Sequence, residues 1–488
     1  TTEIYTLSLH DALRISIFPL EMHKAKIIKK LKLKPIDERL KAIQESGNNS
    51  FLLKNDDVFL DMLTDSGVNA MSDKQQASLF LADDTYAGSQ SFYKLNETTK
   101  KIFGKEYLVP AHQGRACENI LCRLFVKPGN VVIMNFHFTT TKAHVVVNGG
   151  IVEQLIIDEG VKPQSDCLFK GNMDIKKLED CILKYGPEKI SFVRMEAGTN
   201  LIGGQPFSLQ NLKEVSAVCK KYKIILVLDA SLLTDNLYFI KVREESCKNM
   251  TIAEITRAMA DQVDIIYFSA RKLGCARGGA IVTGDYKLFR EMQQITVLFE
   301  GFITYGGMSI MEIEAINQGL LESMDFEMVN QAPIFIEFLV NEWTKNGIPA
   351  ITPPGGLGAH LDAKQFCKHI PQSQFPAASL IAAIYLVSGA RGMERGTVSE
   401  DRNQDGTEHF ADMELVRLAV PKRVLSLSHL KFVADRINWL YKNRELIGGL
   451  EWVEEPKVLR FFLGKLKPVN DWQEKLVKKF KEDFGDSL

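Results

Sequence analysis

The sequence predicts an α/β protein: an open, mostly parallel sheet in a large domain, with a smaller α+β domain beyond it. Three observations carry this expectation. Between about residues 100 and 285, short apolar runs alternate with helical patterns. Several of the runs show almost no polar alternation, as a sheet covered on both faces requires. With 488 residues, the chain can bury more than one core.

The elements follow in order. PIDERLKAIQESG (35–47) reads as a helix, preceded by the basic arm HKAKIIKKLKLK (23–34), which suits a solvated face. NVVIMNF (130–136), GIVEQLII (150–157), KISFVRM (189–195), KIILVLDA (223–230) and VDIIYFSA (263–270) read as buried strands. DIKKLEDCILKYG (174–186) and SLQNLKEVSAVCKKYK (208–223), with apolar residues three and four apart, are the helices between them. One long helical tract is expected over 308–346, ending before Gly347 and Pro349. Beyond it, 355–366 offers a turn and a strand, and 426–446 an amphipathic helix. The segment 451–466 is strand-like at its apolar ends. The expected organisation is a non-native or disordered leader over 1–16, an arm and part of the small domain over 17–63, and a large domain over 64–325. A small domain over 326–470 and a lysine-rich tail over 471–488 complete it.

Composition limits the partners. Lysine and arginine number 60 against 61 aspartates and glutamates, so no overall field draws the chain to nucleic acid or to an acidic membrane. The expected partner is a small molecule or another copy of the chain. The eight cysteines form no CxxC pair and read as reduced packing thiols of a cytoplasmic protein. No apolar run approaches the length of a membrane span, and AASLIAAIYLV (377–387) fits a buried helix instead.

The chemistry concentrates at two strand ends. Asp229 closes one apolar strand, and Ser269 and Lys272 close the next. In open α/β sheets ligands bind outside the carboxyl ends of strands, so these groups face one crevice. A lysine there can form a Schiff base, an aspartate can pair with a protonated pyridine nitrogen, and neighbouring serine and arginine suit a phosphate. Pyridoxal phosphate matches that set; solvated strand-end charges are the alternative. In AHQGRACENIL (111–121), glycine and arginine open a helix whose N–H groups could hold phosphate oxygens, although a plain helix start reads equally well. In NFHFTTTKAH (135–144), Phe138 could stack on a cofactor ring or serve as a core aromatic.

A series of motifs then appears in order: TDSG (64–67), SDKQ (72–75), YAGS (86–89), HQGR (112–115), FTTT (138–141), NLIGGQP (200–206), YGG (305–307), FPAASL (375–380), MERG (393–396) and VRLAVPKR (416–423). From about residue 35 to 466 the chain resembles the tyrosine phenol-lyase and tryptophanase family of β-eliminating lyases. The resemblance implies the aspartate aminotransferase-like fold of pyridoxal phosphate enzymes (fold type I) and a homotetramer of dimers that share active sites. It makes Lys272 the Schiff-base lysine that also removes the α-proton, and Asp229 the partner of the pyridine nitrogen. Phe138 would stack on the ring, with Gln113, Gly114, Arg115, Ser269 and Arg271 around the phosphate. Asn200 and Arg417 would bind the substrate carboxylate, with Thr64 and Ser66 nearby. Tyr86 would protonate the leaving ring carbon, and Tyr305 would reach in from a neighbouring subunit. A monovalent cation, normally potassium, would lie at the Gly67 backbone and Asp84, where the family usually has glutamate.

Thr139 and Arg395 match the residues placed near the phenolic oxygen in the phenol-lyase branch. Phe461 and Phe462 stand where the tryptophanase branch has a histidine motif, so phenol is favoured over indole. The implied reaction converts L-tyrosine to phenol, pyruvate and ammonia. Tryptophanase or a related lyase is the alternative enzyme, and a non-catalytic paralogue the alternative of another class. Departures favouring the latter cluster at the cofactor. Leu232 stands where the family has an arginine donating to the pyridoxal 3′ oxygen. Arg271, Lys272 and Leu273 replace a Lys-Lys-Asp sequence, and the loop from Lys272 to Gly278 is one residue short.

Overall fold

The structure, a computed structural model, describes residues 19–403 and 405–486; the expected leader over 1–16 lies outside them. Seven strands form the large sheet: β1 (Tyr107–Ala111), β2 (Val131–Met134), β3 (Ile151–Gln154), β4 (Ile190–Glu196), β5 (Leu226–Asp229), β6 (Ile265–Ser269) and β7 (Gly279–Thr283). Their order is β1-β7-β6-β5-β4-β2-β3, and β7 alone runs antiparallel to both its neighbours. β2, β5, β6 and β7 are buried along their whole length, and one apolar cluster lies on each side of the sheet. All five expected strands are present, but β3, expected as buried, is an edge strand with no buried residue. β1 and β7 add to these; β1 is an edge strand containing Pro110, a residue tolerated there because an edge needs fewer N–H donors.

The tract 308–346 is three helices, not one: Ile310–Glu322, Phe326–Val329 and Gln331–Thr344. Two local signals break it. The Asp325 carboxylate accepts from the Glu327 N–H, and Pro333, which has no N–H to give, requires a fresh first turn.

A separate core gathers both ends of the chain. Ile36 and Ile43 of the helix Ile36–Glu45 meet the wholly buried helix Pro376–Ser388 and the helix Leu427–Lys442. The segment 471–488, expected as a tail, instead contributes a helix, Trp472–Phe484, whose Trp472, Leu476, Val477 and Phe480 enter this core at helical spacing. Lysines between them occupy the outer face, which is why composition alone read as a tail. Three antiparallel strands cross this region: β8 (Gly358–Asp362), β9 (Met393–Arg395) and β10 (Leu415–Ala419), with β10 central. A hairpin of Leu450–Glu454 and Lys465–Pro468 carries the short helix Arg460–Leu463 between its strands. The basic arm is open to solvent, with Ile27 and Ile28 exposed. All eight cysteines are free and seven are buried. Among the described residues, no helix is long and apolar enough to cross a membrane.

Candidate active site

A cavity of about 340 Å³ opens at the carboxyl ends of β4, β5 and β6, where the second core meets the sheet. Asp229 and Ser269 are the last residues of β5 and β6. Lys272 follows on a short loop tied by the Ala270 N–H to Gly278 O (2.9 Å) and the Ala276 N–H to Ala270 O (2.9 Å). Its Nζ lies 5.3 Å from the Phe138 ring centre. Phe138 ends the connection after β2 and precedes the helix Thr139–Val147.

Opposite, Gly114 and Arg115 begin the helix Gly114–Phe125, after Gln113 in extended conformation. The free N–H groups of a first turn favour an anion. Gly114 allows the helix to approach β6 closely: a Cβ there would fall 2.8 Å from Ser269 Cβ. Arg115, Ser231, Ser269 and Arg271 line the same end of the cavity. This cradle of free backbone donors, two hydroxyls and two guanidiniums fits a phosphate.

Beneath it the Asp229 carboxylate accepts from Arg194 Nη2 (2.5 Å), the Tyr267 hydroxyl (2.9 Å) and the Ser231 N–H (2.9 Å). Burial pulls the Arg194 guanidinium down, but Tyr267, Asp229 and Glu196 hold it well above its ordinary value. Arg194 Nη1 also reaches Glu196 at 3.2 Å.

At the small-domain side, Asn200 Oδ1 accepts from Arg417 Nη1 (2.8 Å) and Arg395 Nη2 (3.1 Å). β9 and β10 bring the two arginines together, since Arg417 pairs with Met393, two residues before Arg395 on one face. Arg395 Nε and Nη1 and Arg417 Nε are buried without a partner. Burial lowers the Arg395 guanidinium to about 10, and burial with Arg395 as neighbour lowers Arg417 well below its ordinary value. Two buried cations sharing one neutral acceptor are an electrostatic deficit that a carboxylate would relieve. Thr64, Ser66 and Thr139 also line the cavity, with Ser66 Oγ accepting from Arg271 Nε at 3.4 Å. Phe51, Phe461 and Phe462 complete it edge to face, with Phe51 5.5 Å from Phe461 and 4.9 Å from Phe462.

Some expected site residues stand outside the cavity of this chain. Tyr86 is not among the cavity residues: it is 72% exposed, stacks on Phe302 at 5.5 Å and meets Tyr305 at 5.6 Å. Its loop lies over the Phe302–Tyr305 turn, so both tyrosines stand together on one outer surface. Gly67 and Asp84, expected at a monovalent cation, are also not among the cavity residues. The Arg271 side chain covers Gly67, with Nη2 2.4 Å from where a Cβ would sit, and the Gly67 N–H donates to Arg271 O at 2.8 Å. Asp84 is exposed, and among the described residues no group of three or more His, Cys, Asp or Glu is disposed to hold a metal.

The model of the beta-eliminating lyase family matches residues 61–436. The chain belongs to that family. As a lyase it resembles the tyrosine phenol-lyase of Pasteurella multocida (strain Pm70), 41% identical over 453 residues, 92% of this chain and 99% of that protein. The tyrosine phenol-lyase of Fusobacterium nucleatum is 41% identical over 455 residues, 93% of this chain and 99% of that one. Among solved structures, the serine palmitoyltransferase of Sphingomonas wittichii superposes with a TM-score of 0.58 at 12% identity, covering 84% of this chain and 97% of that one. The aspartate aminotransferase of Thermotoga maritima gives 0.57 at 12%, covering 83% and 96%. These two share the fold alone, and the fold of the lyase is the expected aminotransferase-like one.

The lyase cavity also contains residues that the sequence did not single out as functional: Glu118, Glu196, Ser231 and Phe51. Glu118 accepts from Thr140 and Thr141 at 2.6 Å each, fixing the turn after Phe138.

Proposed function

We propose that this lyase uses pyridoxal phosphate to cleave L-tyrosine into phenol, pyruvate and ammonia. The observation carrying the reading is the Asn200–Arg395–Arg417 cluster, with its unpartnered buried nitrogens, in the same cavity as Lys272 and an aromatic wall. The relatives named tyrosine phenol-lyase support the choice of substrate.

Gln113, Gly114, Arg115, Ser269 and Arg271 would hold the cofactor phosphate, Phe138 its ring face, Asp229 its ring nitrogen and Lys272 its aldehyde. Pyridoxal phosphate bound there supplies an electron sink for the α-carbon of an attached amino acid. Arg417 and Asn200 orient the substrate through its carboxylate, with Thr64 and Ser66 beside them. Lys272 Nζ takes the α-proton. Arg395 and Thr139 hold the phenolic oxygen, and a cationic hydrogen bond favours the ketonic form of the ring, from which the carbon–carbon bond can break. Phe51, Phe461 and Phe462 exclude water around that ring. Tyr86 brings the proton for the leaving ring carbon. Because it packs with Tyr305 on an outer surface, both tyrosines would enter the cavity of a second copy, as in dimers sharing active sites and paired into a tetramer.

Phenol release from L-tyrosine, assayed beside indole release from L-tryptophan, tests the reading. Phenol should dominate and vanish in Lys272→Ala. Dominant indole would make the assignment of Thr139 and Arg395 wrong.

A further inference from the structure

The family resemblance implies a cation where Leu232 lines the cavity, and the same cavity contains a carboxyl group to which no role has been given. Glu196 ends β4 and pairs in register with Asp229 at the end of β5, so the two carboxyls are neighbours on one face. Arg194, two residues earlier on that face, is shared between them unequally: 2.5 Å to Asp229 and 3.2 Å to Glu196. Asp229 also has the Tyr267 hydroxyl, whereas the remaining contact of Glu196 is the Asn200 N–H at 3.2 Å. Of the two carboxyls that share Arg194, Glu196 has the longer and fewer contacts, which makes it the natural holder of a proton. It lines the cavity, and Gly198, two residues on, packs against Leu232, where a Cβ would lie 3.1 Å from Leu232 Cβ.

We propose that protonated Glu196 replaces the cation missing at position 232, donating a hydrogen bond to the ring oxygen of pyridoxal phosphate. This rests on the cofactor reading above. The charged and titratable groups facing Glu196 are Arg194 on its own strand, Asp229 and Lys272 from the adjacent strand ends, and Arg395 from the small domain. Tyr267 and Glu118 lie behind Arg194. Burial raises the Glu196 carboxyl to about 7, with Arg194 opposing and Asp229 reinforcing the shift. The donor is therefore present below that pH and lost above it.

Apoprotein should be titrated with pyridoxal phosphate and with an analogue lacking the ring hydroxyl. Glu196→Ala should weaken binding of pyridoxal phosphate roughly tenfold, the worth of one buried hydrogen bond, and leave the analogue unaffected. Glu196→Gln, a permanent donor of the same shape, should keep the preference for pyridoxal phosphate. It should also abolish a step near pH 7 in the visible absorption of the bound cofactor. Equal weakening of both compounds in Glu196→Ala would overturn the inference, as would a step near pH 7 that persists in Glu196→Gln. Wild-type protein that binds neither compound overturns the pyridoxal phosphate reading and this inference together; binding both without preference overturns this one alone.

Discussion

Arg417 illustrates how much one buried residue carries. Its guanidinium donates to Asn200 and to the Leu63 carbonyl at 2.7 Å, and its Nε is buried without a partner. Lysine cannot reproduce that planar fork. Arg417→Lys should raise KM for L-tyrosine and lower kcat/KM on the order of 10- to 100-fold, the loss of one or two charge-assisted hydrogen bonds, as steady-state phenol release would show. Leu232→Arg is informative in the opposite sense. A guanidinium there would face Glu196 and draw off its proton, so the absorbance step near pH 7 should disappear without a gain in turnover. The residues legible in the sequence were those at strand ends, where Asp229 and Lys272 interrupt apolar runs at the sheet's ligand-binding edge. Arg194 and Glu196 lay inside KISFVRM and the residue after it, and passed as noise in a strand. The available signal was their spacing: two charges two apart on a buried strand share a face, and buried charges must be paired.

Helices set the precision of the site through close contacts that sequence patterns do not reveal. The helix Ile310–Glu322 packs against the Lys272 loop through Gly319, where a Cβ would fall 2.0 Å from Gly274 O. Gly319→Ala should push that loop away and reduce cofactor binding while far-UV circular dichroism stays unchanged. Ser309 caps the same helix by accepting from the Glu312 N–H, with Glu312 returning the bond. Ser309→Ala should lower stability by about 1 kcal/mol, measured by chemical denaturation, with little effect on the site. Periodicity located this helical stretch but ran it on to residue 346, because the Asp325 turn preserves the apolar rhythm across the break. The Tyr86 loop shows a different limit. Its motif was legible, but the surface it occupies was not, since a motif says nothing about which copy of the chain it serves.

At the scale of the molecule, two buried histidines tie stability to pH. Burial lowers His137 to about 4 and His360 to about 3, so both are neutral when folded and would accept protons near 6.5 when unfolded. Their contribution is full above pH 6.5 and declines as the pH falls toward the folded values. The thermal midpoint should therefore drop between pH 6.5 and 4, and His360→Asn should flatten that slope. The second core is equally a whole-chain property. Phe480→Ala, in the helix that composition suggested was a tail, should destabilise it by about 3–5 kcal/mol. The meeting of the chain's two ends in that core, where the Ile36 N–H donates to Asp486 O at 2.7 Å, has a consequence for biogenesis. On the ribosome the large sheet emerges complete while the helix Ile36–Glu45 still waits for the helix Pro376–Ser388, synthesised more than 300 residues later. Arg395, Arg417 and Phe461 come still later in the chain, so the substrate side of the cavity is assembled last, after the cofactor cradle.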